Sequence, residues 1–200
     1  MTSFTDLPTL TGDRVVLEPL SHDREEELAR AVAVDDLWKT WYTSIPAPDT
    51  MAAEIATRLA NHARGTMMPF GVVDRASGFA VGMTTFMNLQ PAHRRLEIGS
   101  TWLGRAAQRS GINTEAKLLL LAHAFEALDC IAVEFRTHWH NRQSRDAIAG
   151  LGAKQDGVLR SHMVMPDGTL RDTVVFSIVA SEWPTVRRGL VARLDAHRRS

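Results

Sequence analysis

The chain has 200 residues, 44% of them hydrophobic, and its 23 basic and 23 acidic side chains cancel. That size and composition suit one globular domain over residues 1–200. The balance of charge excludes a global field that would draw the protein to nucleic acid or a membrane surface. A single cysteine, Cys130, excludes an internal disulfide and a cysteine-built metal site, and fits a reducing, cytoplasmic setting. The first residues, Met1-Thr2-Ser3-Phe4-Thr5-Asp6, hold neither a basic nor an apolar signal region, and the longest apolar run, residues 118–122, is far short of a membrane span.

Residues 13–20 alternate loosely and stop at Pro19, predicting a first strand. Ser21, His22 and Asp23 offer caps before the acidic turn Glu25-Glu26-Glu27, and Leu28, Ala31, Val32 and Asp35 share a face, predicting a helix to about Val34. Trp38, Trp41 and Tyr42 follow in a stretch made irregular by Pro46 and Pro48; these rings either wall a substrate pocket or pack between helices. Asp49 or Thr50 then caps a helix with Met51, Ile55 and Leu59 on one side. Residues 69–73 and 80–86 read as strands joined by a turn at 74–78, and residues 89–94 as a loop.

Residues 96–103 form another strand, with Ile98, Trp102 and Leu103, and residues 115–128 a buried helix. Between them stands Gln108-Arg109-Ser110-Gly111-Ile112-Asn113-Thr114. A short polar turn entering a helix presents free N–H groups at its positive end, an arrangement that binds anions. Gly111 allows close backbone approach, and Asn113 can cap the helix. The plain alternative is an ordinary strand–turn–helix junction, which favours the same residues. A strand over 130–138, with Ile131, Val133 and Phe135 on one face, completes a βαβ unit. Asn141 caps a short helix over 142–151, closed by Gly152. Strands over 157–165 and 170–179 meet at Pro166-Asp167-Gly168, and Ser181 caps a last helix with Trp183, Val186, Leu190 and Leu194 inward. The sum is an α/β fold with a mixed sheet.

With these residues in place, the chain resembles the GNAT acyltransferases, in particular the branch that includes the ribosomal-protein N-terminal acetyltransferases. Five stretches carry the likeness in order: Arg14-Val15-Val16-Leu17-Glu18-Pro19-Leu20, Gln108-Arg109-Ser110-Gly111-Ile112-Asn113, Asn141-Arg142-Gln143-Ser144, Leu151-Gly152-Ala153 with Gly157-Val158-Leu159-Arg160, and Asp172-Thr173-Val174-Val175-Phe176-Ser177-Ile178. The resemblance implies a mostly antiparallel sheet with a βαβ cofactor unit, helices on both faces, and acetyl-CoA as co-substrate. It implies cofactor contacts from Leu103, Gln108, Arg109, Ser110, Gly111, Ile112, Asn113, Thr114, Asn141 and Arg145. Trp38, Trp41 and Tyr42 would line the site of a primary-amine acceptor. Two departures stand out: Asn113 replaces a small loop residue, and Ile148 stands where many members have a tyrosine that protonates the leaving thiolate.

Acyl transfer to an amine needs a neutral amine, a polarised carbonyl and a hydrogen-bonded leaving thiolate. Ser144, one helical turn after Asn141, is the candidate donor to sulfur, against a plain solvated serine; Asn141 can be a helix cap, a cofactor contact or both. Glu97 is the candidate base, against a surface partner of Arg94 or Arg95, and His162 is the second. His138 and His140 could share a strand face, but no third ligand is apparent, so no metal is expected. The resulting expectation is an N-acetyltransferase that uses no nucleic acid, membrane or metal. Its rival is a non-catalytic acyl-CoA sensor or dimerisation module, kept open by Ile148, and the choice between monomer and homodimer stays open too.

Overall fold

In the computed structural model of the protein, residues 4–199 are described, without the side chains of Asp35 and Arg199. The reading of Met1, Thr2 and Ser3, and the placing of Asp35 on a helix face, lie outside the described residues. The period-two and helical patterns yield β1 (Leu10–Thr11), β2 (Val15–Pro19), α1 (Glu25–Ala33), α2 (Met51–Ala63), β3 (Met67–Asp74), β4 (Ala80–Gln90), β5 (Arg95–Leu103), α3 (Ile112–Ala122), β6 (Ala132–His138), α4 (Arg142–Gly150), β7 (Lys154–Val164), β8 (Leu170–Val179) and α5 (Trp183–Arg199). Among the described residues the strands form one eight-stranded sheet, ordered β1-β2-β3-β4-β5-β6-β8-β7. Only β5 and β6 pair in parallel, across the α3 crossover; every other pair is antiparallel.

Alternation sends neighbouring strand residues to opposite layers. One layer joins Leu120 and Leu121 of α3, Ile148 of α4 and Leu190 of α5 to Phe86, Ile98, Val133 and Phe135 of the sheet. The other joins Leu28 and Val32 of α1 and Met51 and Ile55 of α2 to Met83 and Trp102. On this second side the strands past β5 keep a polar face, a groove of about 520 Å³ lined by Arg95, Glu134, Arg136, Asp156 and Ser177 among others.

Several local expectations are corrected. Strand β4 runs through Leu89 to Gln90, and the loop shrinks to a turn at Pro91–His93. Ile131 lies before β6 and is 43% exposed, while Val133 and Phe135 are buried as expected. Neither Asp49 nor Thr50 caps α2 through its side chain, because the Thr50 hydroxyl donates back to the Ala47 carbonyl. Asn113 does not cap α3: Gly111, at φ 87°, holds the cap position and Asn113 falls inside the helix. Ser181 lies in a turn at Ala180–Glu182, and it is the Glu182 carboxylate that accepts from the Val179 amide. The crossover helix also ends in a π-type turn, His123–Ala127.

One tie between distant segments was not read from the sequence. Glu115 of α3 is buried and accepts from the backbone N–H groups of Asp13 (3.1 Å), Arg14 (2.6 Å) and Val15 (2.9 Å). A Cβ on Gly12 would fall 2.6 Å from the Glu115 carboxyl carbon, so glycine there makes room for the carboxylate. Three amide donors suit an ionised acceptor and leave an amide side chain with a donor facing donors. Glu115→Gln should therefore cost roughly 2–3 kcal/mol in urea-unfolding free energy. A loss under about 0.5 kcal/mol would show that these bonds do not anchor the first hairpin.

Candidate active site

Strands β5 and β6 are in parallel register only at Arg95↔Ala132, Leu96↔Val133 and Glu97↔Glu134. Beyond those pairs they part, and the cause lies in β5. Its register with β4 runs Met83↔Trp102 and then Thr85↔Gly99, so Ser100 and Thr101 face the single residue Thr84. Ser100 adopts φ 46° to fit this bulge. An extra residue bends and twists the strand that carries it, opening a fork between the two parallel strands.

Each arm of the fork runs on to the N-terminus of a helix. Past β5, the side-chain amide of Gln108 donates to the Leu103 carbonyl (3.0 Å), and the Ser110 hydroxyl donates to the Ala107 carbonyl (2.7 Å). Arg109 sits at φ 59°, so consecutive residues around Gly111 turn tightly before Ile112 starts α3. A Cβ on Gly111 would meet the Arg14 side chain at 3.5 Å, which places a guanidinium beside this turn. Ile112 is buried, and Asn113 and Thr114 are half-buried in the first turn of the helix. Amides at a helix start with Arg14 beside them fit an anionic pyrophosphate. Past β6, the Asn141 side-chain oxygen accepts from the Ser144 amide (3.0 Å), and Arg145 stacks over the Trp139 ring at 4.3 Å while donating to the Trp139 carbonyl (3.2 Å). The Arg145 Nε is buried without a partner among the described residues. Ile148 faces the core, away from any polar partner.

Glu97 stands at the root of the fork and is only 5% exposed. It accepts from the Asn88 amide (2.6 Å) and lies 3.5 Å from the Arg136 guanidinium. Arg95 pairs with Glu134 and Arg94 with Asp129, so the alternative of Glu97 as a surface partner of either arginine is not what the structure has. Burial pushes the Glu97 carboxyl above the ordinary glutamate value, and the Asn88 bond and Arg136 only partly oppose it. A carboxylate raised in this way holds a proton more readily at neutral pH.

At the far end of β6, Trp41 packs edge-on to Tyr42 and to His138, both at 5.4 Å between centroids, and tilts over His140 at 5.6 Å. Trp41 is 58% exposed. Trp38 is not with them, because it packs on the α1–α2 layer, with Lys39 over its ring. His162 is exposed on β7, 3.1 Å from the Thr173 hydroxyl, and Thr173 is the register partner of His138. The Arg171 guanidinium also donates to Thr173 (3.0 Å). Burial and then Arg171 push the His138 imidazole below its ordinary value, and its Nδ1 accepts from the His140 amide (3.0 Å), which fixes a neutral ring with the proton on Nε2. Among the described residues no group of three or more His, Cys, Asp or Glu side chains could hold a metal ion.

Arg14, Asn88, Arg136 and Arg171 are not singled out from the sequence as parts of this site, and His138 is weighed there only as a metal ligand with His140. Arg14 is brought to its place by the approach of residues 13–15 to α3; the others depend on strand register, which places residues from β4, β6 and β8 around Glu97 or the β6 end. The only hint was period-two placement of charge on strands flanked by apolar residues.

The sequence matches the model of the acetyltransferase (GNAT) domain over residues 14–154, and the chain belongs to that family. Among solved structures, a GCN5-related N-acetyltransferase from Brucella melitensis is 30% identical, covering 94% of this chain and 85% of that one, with a TM-score of 0.85. A protein from T. thermophilus described as an acetyltransferase is 32% identical over 94% of this chain and 98% of its own, at a TM-score of 0.83. Mycobacterium smegmatis RimJ, solved with CoA-disulfide, shares the fold at 24% identity and a TM-score of 0.80, over 94% of this chain and 96% of that chain. No curated protein matches the sequence.

Removing the Asn141 side chain tests the α4 start directly. Asn141→Ala should cost about 1 kcal/mol of stability, lowering the melting temperature by roughly 2–4 °C. An unchanged melting curve would mean that the Ser144 amide is satisfied without the cap.

Proposed function

We propose that the protein moves an acetyl group from acetyl-CoA to a primary amine: a protein or peptide N-terminus, an amino acid or a small amine-bearing molecule. The observation that carries this reading is the fork between β5 and β6 with a helix N-terminus at the end of each arm. Acetyl-CoA, when bound, supplies an activated carbonyl and a thiolate leaving group. The turn at Gln108–Thr114, with Arg14, would bind its pyrophosphate. The β5 backbone where it parts from β6, up to Leu103, with Asn141 and Arg145, would hold the arm that bears the thioester. The RimJ structure with CoA-disulfide supports the choice of ligand.

The acceptor amine enters as an ammonium at neutral pH and must lose a proton before it attacks. Glu97 suits the role of base, being buried, raised in pKa and oriented by Asn88 and Arg136. His162 is the second candidate. Trp41 and Tyr42 would shape the acceptor side. With Glu97 as base, kcat/KM should rise with pH through its raised pKa and level off, and Glu97→Gln should remove that inflection. A profile that neither Glu97→Gln nor His162→Gln alters would remove both from the role.

Ser144 would donate to the departing sulfur, since Ile148 carries no proton and is buried in the core. A thiolate is a fair leaving group, so Ser144→Ala should lower kcat by roughly ten- to a hundredfold, about 1.4–2.7 kcal/mol in barrier, with little change in KM for acetyl-CoA. Full kcat in the variant, with chemistry limiting, would leave Asn141 and Ser144 as a cofactor clamp alone. Release of free thiol from acetyl-CoA with a panel of amines tests the reaction. Binding without turnover on any amine would instead favour the acyl-CoA sensor, the reading that Ile148 keeps in play.

A further inference from the structure

The bulge that opens the fork is gripped from both faces of the sheet by buried cations. From α2, Arg58 donates to the Ser100 carbonyl (3.3 Å), to the Thr85 hydroxyl (2.7 Å) and to Glu54 (2.7 Å). From α3, the Lys117 ammonium donates to the hydroxyls of Thr101 (2.7 Å) and Thr84 (3.1 Å), which bond each other at 2.8 Å. Thr84 and Thr85 are consecutive on β4 and so present one hydroxyl to each layer. Arg58 and Lys117 are 4% and 6% exposed. Thr101 itself is exposed at the fork, so one hydroxyl separates the lysine from the cleft.

The two cations differ in one respect. Arg58 has Glu54 as counter-charge, whereas Lys117 forms no ion pair among the described residues. Among the described residues, none of the charged and titratable groups on the elements around it bonds to it, and its polar partners are the two threonine hydroxyls. Glu115 on its own helix holds the amides of residues 13–15, and Arg14 lies beside Gly111. His123 stacks on Phe86, while Glu126 pairs with Arg187 and accepts from Trp183. Arg95, Glu97, Glu134 and Arg136 form a separate cluster of pairs at the root of the fork. Burial alone pushes the Lys117 amine down to about 7.

We propose that Arg58 and Lys117 are positioning residues that clamp the β5 bulge from its two faces, and that acyl-CoA bound in the fork serves as the counter-charge Lys117 lacks, so that binding draws a proton onto it. This rests on the acyl-CoA reading above. Lys117 lies five residues into α3, about 8 Å along the axis from its start at 1.5 Å per residue. A phosphate charge about 10 Å away favours the ammonium by roughly tenfold at the effective dielectric of a protein site. Below pH ~7 the free protein already carries that proton. Above it, the free protein has lost the proton and must regain it on binding, so affinity should weaken as pH rises through this window.

Calorimetric titration with acetyl-CoA tests this, comparing the wild-type protein with Lys117→Met between pH 6.5 and 8.5 in two buffers of different ionisation enthalpy. The titration of the ligand's own phosphates is common to both proteins and drops out of the difference. Wild-type protein should take up a fraction of a proton near pH 7.5, and its Kd should weaken across the range by about fivefold to tenfold more than that of Lys117→Met. Identical proton uptake and pH profiles would overturn the proposal. If Lys117→Met does not fold, Thr101→Val decides: it should fold, and bind acetyl-CoA about tenfold more weakly at pH 7, and unchanged affinity would overturn the clamp. A folded wild-type protein that binds no acetyl-CoA at any pH would overturn the functional reading itself, and this inference with it.

Discussion

Hydrogen bonding between β5 and β6 stops after Glu97 and Glu134, in the middle of a sheet whose other strands stay paired. Backbone N–H and C=O groups left unpaired inside a fold are costly unless something else satisfies them. A bulge at Ser100–Thr101 forces the separation, and the cost is tolerable because the opened groups face a cleft where water or a ligand can reach them. The same event sets the directions of the two strand ends, and hence where α3 and α4 begin. The glycine-bearing turn, the carboxylate at the fork root and the serine at the α4 start are all placed by where the two strands part.

The layers on either side of the sheet make that opening one-sided. Helices α3, α4 and α5 cover one face with a continuous apolar core, whereas α1 and α2 cover the other only as far as β5. The strands beyond it keep charged residues on the uncovered side, and these gather around Glu97. Carboxylates and guanidiniums held together at low exposure can shift one another's protonation. This gives the second face the chemistry and the first face the rigidity.

Much of this was legible in the chain. The glycine-bearing turn before a Leu- and Ala-rich helix, the Asn141 start and the Pro166-Asp167-Gly168 hairpin are local signals, and each lies where it was expected. What escaped depends on partners far apart in sequence. Nothing in the sequence marks Glu115, because its partners are the backbone amides of residues 13–15. Lys117 carries no signal in the sequence, since a buried lysine facing only hydroxyls breaks the usual rule for charged side chains. Glu97 looked equally suited to a surface ion pair, and only strand register puts Asn88 and Arg136 beside it in place of Arg94 or Arg95. Asn113 is a candidate cap for α3 because asparagine suits a helix start, yet the backbone gives the position to Gly111, whose positive φ no side chain opposes.

The Glu115 tie has a consequence for how the molecule opens. Local unfolding proceeds in contiguous cooperative units, and a carboxylate bonded to three amides of another segment merges two such units into one. The first hairpin, which would otherwise fray as a sheet edge does, is thereby fastened to the helix that starts at the glycine-bearing turn. Amide protons of residues 13–15 and of the first turns of α3 then exchange with solvent through a shared opening, so whatever steadies the start of α3 also slows exchange where the first hairpin turns into β2.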